Sequence, residues 1–168
     1  FHRHGIESVP AHTETGAATM AATFGVATNT VSAVIVTRGP GAASVVNGAA
    51  HATLDRAPLL VITDCVPDAA RATTGHQRFD QRALMRAVTL RTARIGNDVT
   101  DQQLTDLIAT AKGPLAGAVH LDLDANSTTD IDQPKDQVLS TTAVGAEELQ
   151  ERLAQSSSPV VICGSQAP

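Results

Sequence analysis

The sequence predicts an α/β fold: a doubly wound parallel sheet with helices on both faces, followed by the start of a second domain at the C-terminus. Three observations carry this. Residues 31–37 (VSAVIVT), 58–66 (PLLVITDCV) and 117–123 (GAVHLDL) are short, rich in β-branched residues and bounded by Gly, Pro or Asp, as buried parallel strands are. Segments of helical period lie between them. The order βαβαβ…βαβ then requires right-handed crossovers and a sheet wound in both directions.

A weaker strand is expected first, at 6–10, and another at 88–95. Residues 15–27 form an Ala-rich helix whose small side chains suit close packing. Residues 42–55 place Val45, Val46, Ala49, Ala50 and Leu54 on one face, and 81–88 form a short helix. At 100–112, Leu104, Leu107, Ile108 and Ala111 recur at helical spacing, with Thr100 or Asp101 as the cap. Composition then turns to Asp, Thr, Ser and Gln between 124 and 142, which reads as a linker. A short helix at 146–154 has Glu147 and Glu148 in its first turn. Ser156-Ser157-Ser158-Pro159 ends it, and 160–163 reads as a new strand. The expected domains are therefore 1–125, a linker with a helix at 126–157, and the first strand of a truncated second domain at 158–168. The opening Phe1-His2-Arg3-His4-Gly5 reads as the last turn of a helix closed by glycine, as in a piece of a longer chain.

Composition excludes several functions. With three Phe and neither Trp nor Tyr, the chain has no aromatic platform for stacking nucleobases. Its net charge is −5 with scattered basic residues, so no phosphate-tracking stripe forms, and no nucleic-acid partner is expected. No apolar run is long enough to span a membrane. The six His show no ligand-like spacing, so no metal site is expected in this chain. Cys65 and Cys163 are distant and read as thiols of a reducing compartment, which places the protein in the cytoplasm.

Two features point to chemistry. Thr37-Arg38-Gly39-Pro40-Gly41 lies between a strand and a helix, where glycines let the backbone approach a ligand and the helix N-terminus favours anions. It fits neither dinucleotide nor P-loop patterns, so a plain tight turn stands as the alternative. Glu14 opens a helix of small residues with no second charge for many positions. It is either a carboxylate offsetting the helix dipole or a functional carboxylate set in an apolar wall.

Here the sequence resembles a family. Glu14-Thr15-Gly16-Ala17-Ala18-Thr19-Met20-Ala21 resembles the E-x-G-A-x-x-M-A segment of thiamine-diphosphate enzymes of the acetolactate synthase type. Val36-Thr37-Arg38-Gly39-Pro40-Gly41-Ala42 resembles their T-S/R-G-P-G-A loop, and the run from Leu54-Asp55 to Ile62-Thr63 their L-D-x-x-P-L-x-x-I-T. Gly75-His76-Gln77-Arg78-Phe79-Asp80-Gln81 stands where they have F-Q-E-x-D-Q. Ala87-Val88-Thr89 stands where they have x-V-T-K, and Pro114 with 117–123 parallels G-P-V-x-L/V-D-L/I-P. The matches run in order through about residues 1–125.

The resemblance implies a pyrimidine-binding domain that is one part of an enzyme. Glu14 would bond N1′ of the aminopyrimidine, favouring the tautomer whose 4′-imino group takes the thiazolium C2 proton. Gly39, Pro40, Gly41 and Ser44 would face the pyrimidine, although Asn is frequent where Ser44 stands. Gln77 would approach the reacting carbon. His76, where Phe is common, is either a solvated loop imidazole or a substrate-side proton donor. Thr13 and Leu90 replace a frequent His and a frequent Lys. The diphosphate and its magnesium would be held by a different domain through a Gly-Asp-Gly…Asn-Asn segment. No Gly-Asp-Gly occurs here, so the glycine loop at 39–41 is expected to serve the pyrimidine and not a phosphate.

The activity implied is making or breaking a carbon–carbon bond next to a carbonyl, on a 2-oxo acid or related acyl donor. The enzyme would be a homodimer or tetramer with its active site between chains. Alternatives are a lyase or decarboxylase of 2-hydroxyacyl or oxalyl thioesters, a catalytically silent interaction domain of the same fold, and a nucleotide-binding α/β module. The last is disfavoured because no GxGxxG context is present.

Overall fold

In a computed structural model, residues 2–65, 77–124, 128–133 and 145–160 are described. They divide into two compact units, Phe1–Asp136 and Gln137–Pro168. The first unit contains five strands: β1 (Ser32–Val36), β2 (Leu59–Asp64), β3 (Arg91–Ile95), β4 (Ala118–Leu123) and β5 (Asp130–Ile131). Their order in the sheet is β1-β2-β4-β3-β5. The first four are mutually parallel, and β5 runs antiparallel along β3. The helices are α1 (Glu14–Thr28), α2 (Pro40–Leu54), α3 (Gln81–Val88) and α4 (Asp101–Lys112). In the second unit, α5 (Ala146–Gln155) is an exposed helix with Glu147 and Glu148 in its first turn.

Side-chain alternation in the central strands creates two cores, one on each face. Leu59 and Val61 of β2 and Ala118 of β4 meet α1, α2 and Met85 of α3. Leu60, Ile62, Val119 and Leu121 point the other way, toward Leu104, Leu107 and Ala111 of α4. This is the doubly wound arrangement that the strand pattern predicts. The caps also follow sequence. Thr100 accepts from Gln103 N at 3.2 Å while the Gln103 side chain accepts from Thr100 N at 2.8 Å, closing a capping box at α4.

Several expectations are corrected. Residues 6–10 form no strand: Ile6 and Val9 are exposed and lie outside the sheet. A short apolar segment makes a strand only where a neighbour supplies hydrogen bonds, and β2 is the strand paired with β1 among the described residues. The strand at 31–37 is covered on one face and not on both. Ala33 and Ile35 are exposed because α4 packs on β2 and β4 and does not reach β1. On α2 the buried stripe is Gly41, Ala42, Val45, Gly48, Ala49 and Ala52, whereas Leu54 is 82% exposed. Small residues won that face because α1 lies against it: a Cβ at Gly48 would overlap that of Ala18.

The strand placed at 88–95 begins three residues later, since Val88 still closes α3. Within the stretch read as linker, β5 docks on β3. Asp132 explains this: its carboxylate pairs with Arg82 at 3.0 Å and Arg86 at 2.8 Å and accepts the Thr92 hydroxyl. The strand expected at 160–163 lies almost wholly outside the described residues.

Candidate functional site

The site is built at the carboxyl ends of β1, β2 and β4, where open α/β sheets present their crevices. Thr13 caps α1 with its hydroxyl, which accepts from Gly16 N at 3.0 Å. That cap fixes Glu14 as the first helical residue, half-buried, with its side chain at the α1 N-terminus. Thr15 donates its hydroxyl to the Ser44 carbonyl at 2.6 Å, tying the start of α1 to the start of α2. The Glu14 carboxylate consequently lies over the glycine loop. Its Oε1 is 3.7 Å from the position that a Cβ of residue 41 would occupy. Among the described residues, this carboxylate has no hydrogen bond or ion pair.

Gly39 stands at φ 67°, ψ −119°, a conformation that L side chains rarely adopt. A Cβ there would also meet the Gln77 backbone at 2.9 Å. Gly39 is thus the point where the loop after β1 touches the turn before α3. Asp64 holds the same loop from β2: it accepts from Arg38 N at 2.7 Å and pairs with Arg38 Nε at 3.1 Å. The structure therefore brings together Glu14, Gly39, Pro40, Gly41 and Gln77. Ser44 reaches this group through its backbone carbonyl, and its side chain is exposed. His76 lies outside the described residues.

Beside Gln77 opens a cleft of about 510 Å³, walled by Cys65, residues 77–82, Arg86, Arg94 and Asp122. Burial first, then the Asp122 and Asp124 carboxylates, push the Cys65 thiol up to about 12, so it stays protonated and is no nucleophile at neutral pH. Beneath the cleft runs a buried polar network that the sequence reading missed. Asp122 accepts from the Thr63 hydroxyl at 2.8 Å and from Gln81 Nε2 at 2.5 Å. His120 Nε2 lies 2.8 Å from Thr63 Oγ1. Because that hydroxyl proton is engaged by Asp122, the hydrogen-bond pattern assigns the imidazole proton to Nε2. Burial is the main force lowering His120 to about 3, with Arg82 adding to it, so the ring is neutral. Burial likewise raises Asp122, against the bonds from Thr63 and Gln81. A signal was present: His120 and Asp122, two residues apart in an apolar strand, must share one face.

Residues 1–84 match the family model described as thiamine pyrophosphate enzyme, N-terminal TPP binding domain. The chain belongs to this family. It is also similar to the acetolactate synthase large subunit of Lactococcus lactis subsp. lactis (strain IL1403), at 30% identity over 171 residues. That match covers 95% of this chain and 30% of the relative, so the chain spans under a third of that protein's length. Among the described residues no helix is long and apolar enough to cross a membrane, and no group of three His, Cys, Asp or Glu is placed to hold a metal ion.

The residues fit the pyrimidine half of thiamine diphosphate. A half-buried carboxylate without a described partner faces the loop, its Oε1 3.7 Å from where a Cβ of residue 41 would stand. Such a group can exchange a proton with a ring nitrogen placed against it.

Proposed function

We propose that this domain holds the aminopyrimidine end of thiamine diphosphate in an acetolactate synthase-like enzyme that makes or breaks carbon–carbon bonds next to a carbonyl of a 2-oxo acid. The observation that carries the reading is the half-buried Glu14 carboxylate set beside Gly41 at the opening of α1.

When bound, the cofactor supplies a carbon nucleophile and an electron sink. Glu14 holds a proton at pyrimidine N1′ and passes it to and fro. Gly39, Pro40 and Gly41 supply a backbone surface on which a flat ring lies, and Ser44 stands at the end of that surface. Gln77, with His76 next to it, supplies polar groups on the substrate side. The diphosphate and magnesium belong to a domain outside this sequence, and the active site lies between chains of a homodimer or tetramer. A cytoplasmic location and a transferase or lyase class complete the reading.

Glu14→Gln in the full-length protein tests it. Glutamine keeps the size and still bonds N1′, but it cannot exchange the proton. Hydrogen–deuterium exchange at cofactor C2 should slow about 10²–10⁴-fold, the range for loss of a general acid/base. A carboxylate serving only the helix dipole is worth about 0.3–1 kcal/mol of stability. Unchanged exchange with a lowered melting temperature would show that Glu14 is only a helix-end charge.

A further inference from the structure

We infer that Gln81 is a positioning residue: its buried amide sets the height of the Gly39-Pro40-Gly41 loop above Glu14 and against Gln77. Gln81 opens α3, is 6% exposed, and is aimed inward by the Asp80 cap, whose side chain accepts from Ala83 N at 2.9 Å. Its Nε2 donates to Asp122 Oδ1 at 2.5 Å and to the Asp64 carbonyl at 2.8 Å, and lies 3.2 Å from Thr63 Oγ1. Its Oε1 accepts the Gly39 N–H at 3.3 Å. One side chain thus joins the ends of β2 and β4 to the loop after β1.

Only a neutral primary amide of this length meets all these demands. The strand ends present acceptors and the loop presents a donor, so the bridging group must donate on one side and accept on the other. Lysine cannot accept from Gly39, and leucine does neither. Pro40 has no N–H, which makes the Gly39 amide the last donor by which the loop can be held before α2 begins. Gly39 also sits at positive φ with the Gln77 backbone against its Cα. A change in its height therefore moves the pyrimidine-facing loop and the Gln77 turn together. A residue that merely satisfied buried acceptors would have no reason to reach across to that loop.

The cofactor arm of the test rests on the proposed function, and the exchange arm does not. Both use the full-length protein carrying Gln81→Leu or Gln81→Glu. Without cofactor, the Gly39 amide in Gln81→Leu should exchange at least about tenfold faster while Val61 and Leu121 in the strands keep their rates, as expected for a local opening. In Gln81→Glu a carboxylate can still accept from Gly39, but it cannot donate to Asp122 or to the Asp64 carbonyl and is repelled by both, so the Gly39 amide should likewise exchange at least about tenfold faster. With thiamine diphosphate bound, C2 exchange in Gln81→Leu should slow about tenfold, with little change in the cofactor concentration needed for saturation. Unchanged Gly39 exchange, or exchange that rises only together with Val61 and Leu121, overturns the proposal. So does a loosened Gly39 with normal C2 exchange. Should Gln81→Leu not fold, Gln81→Glu decides: faster exchange at Gly39 with Val61 and Leu121 unchanged supports the proposal, and a Gly39 that stays protected overturns it. If C2 exchange in the parent proves independent of Glu14, the functional reading fails, while the Gly39 result still judges Gln81.

Discussion

The residue that departs furthest from ordinary behaviour is His120. It is fully buried, bonded to Thr63, and held neutral with its protonation lowered to about 3. In the unfolded chain an imidazole takes up its proton near pH 6.5. Between about pH 6.5 and 3 the unfolded state therefore binds a proton that the native state does not, and stability falls as pH falls. Asp132, lowered to about 2 chiefly by its bond from Arg86, adds loss of the same sign below about pH 3.8. Asp122 opposes both, because its raised pKa lets the native state hold a proton more readily. His120→Gln separates these. Glutamine still donates an N–H toward Thr63 and does not titrate, so the stability loss between pH 6.5 and 4 should shrink by up to about 1.4 kcal/mol per pH unit. Urea unfolding across that range checks it, and an unchanged slope would show that His120 is charged in the native state.

Among elements, the α1–α2 contact decides where Glu14 lands. Ala18 packs where Gly48 lacks a Cβ, and Thr15 bonds the Ser44 carbonyl, so the two helices share one short separation. Gly48→Ala sets two effects against each other. Alanine stabilises a helix interior by about 0.8–1 kcal/mol over glycine, whereas overpacking costs about 1–3 kcal/mol. The new methyl would overlap Ala18 Cβ and stand 3.2 Å from the Thr15 carbonyl, groups that cannot rotate away. The variant should thus be less stable by about 1–2 kcal/mol in chemical denaturation. Greater stability would mean that the helices part easily. Such contacts also explain what was legible. The strands at 31–37, 58–66 and 117–123, the helix starts and the Thr100 cap follow from local pattern, and Glu14, Gly39 and Gln77 were singled out through motifs. The buried face of α2 was misjudged because hydrophobicity ranks Leu54 above Gly48, while close packing of two helices selects the smaller residue. Gln81 was read as a helix start and as the end of the F-Q-E-x-D-Q match, not as a bridge: its partners Gly39, Asp64 and Asp122 lie 17 to 42 positions away, beyond any local pattern.

At the scale of the whole molecule, the chain spans 30% of the acetolactate synthase relative that it matches, and its affinity for cofactor should be that of a fragment of a site. One charge-assisted hydrogen bond at Glu14 is worth about 1.5–3 kcal/mol. A flat ring resting on a glycine loop adds a modest apolar term, since Gly39 and Gly41 offer backbone and no side chain. Micromolar binding requires about 8 kcal/mol after the entropic cost of association. The diphosphate, which carries most of the cofactor's charge, meets no cluster of metal ligands among the described residues. The glycine loop at residues 39–41 has its Gly39 N–H already bonded to Gln81. Titration calorimetry of the 168-residue chain with thiamine diphosphate and magnesium should therefore give a dissociation constant of about a millimolar or weaker. The same titration with the diphosphate removed, as thiamine, should give nearly the same value, because the proposed division assigns the lost end to another domain. A micromolar constant that falls away with thiamine would place a phosphate site within this chain and overturn the division of the cofactor between two domains.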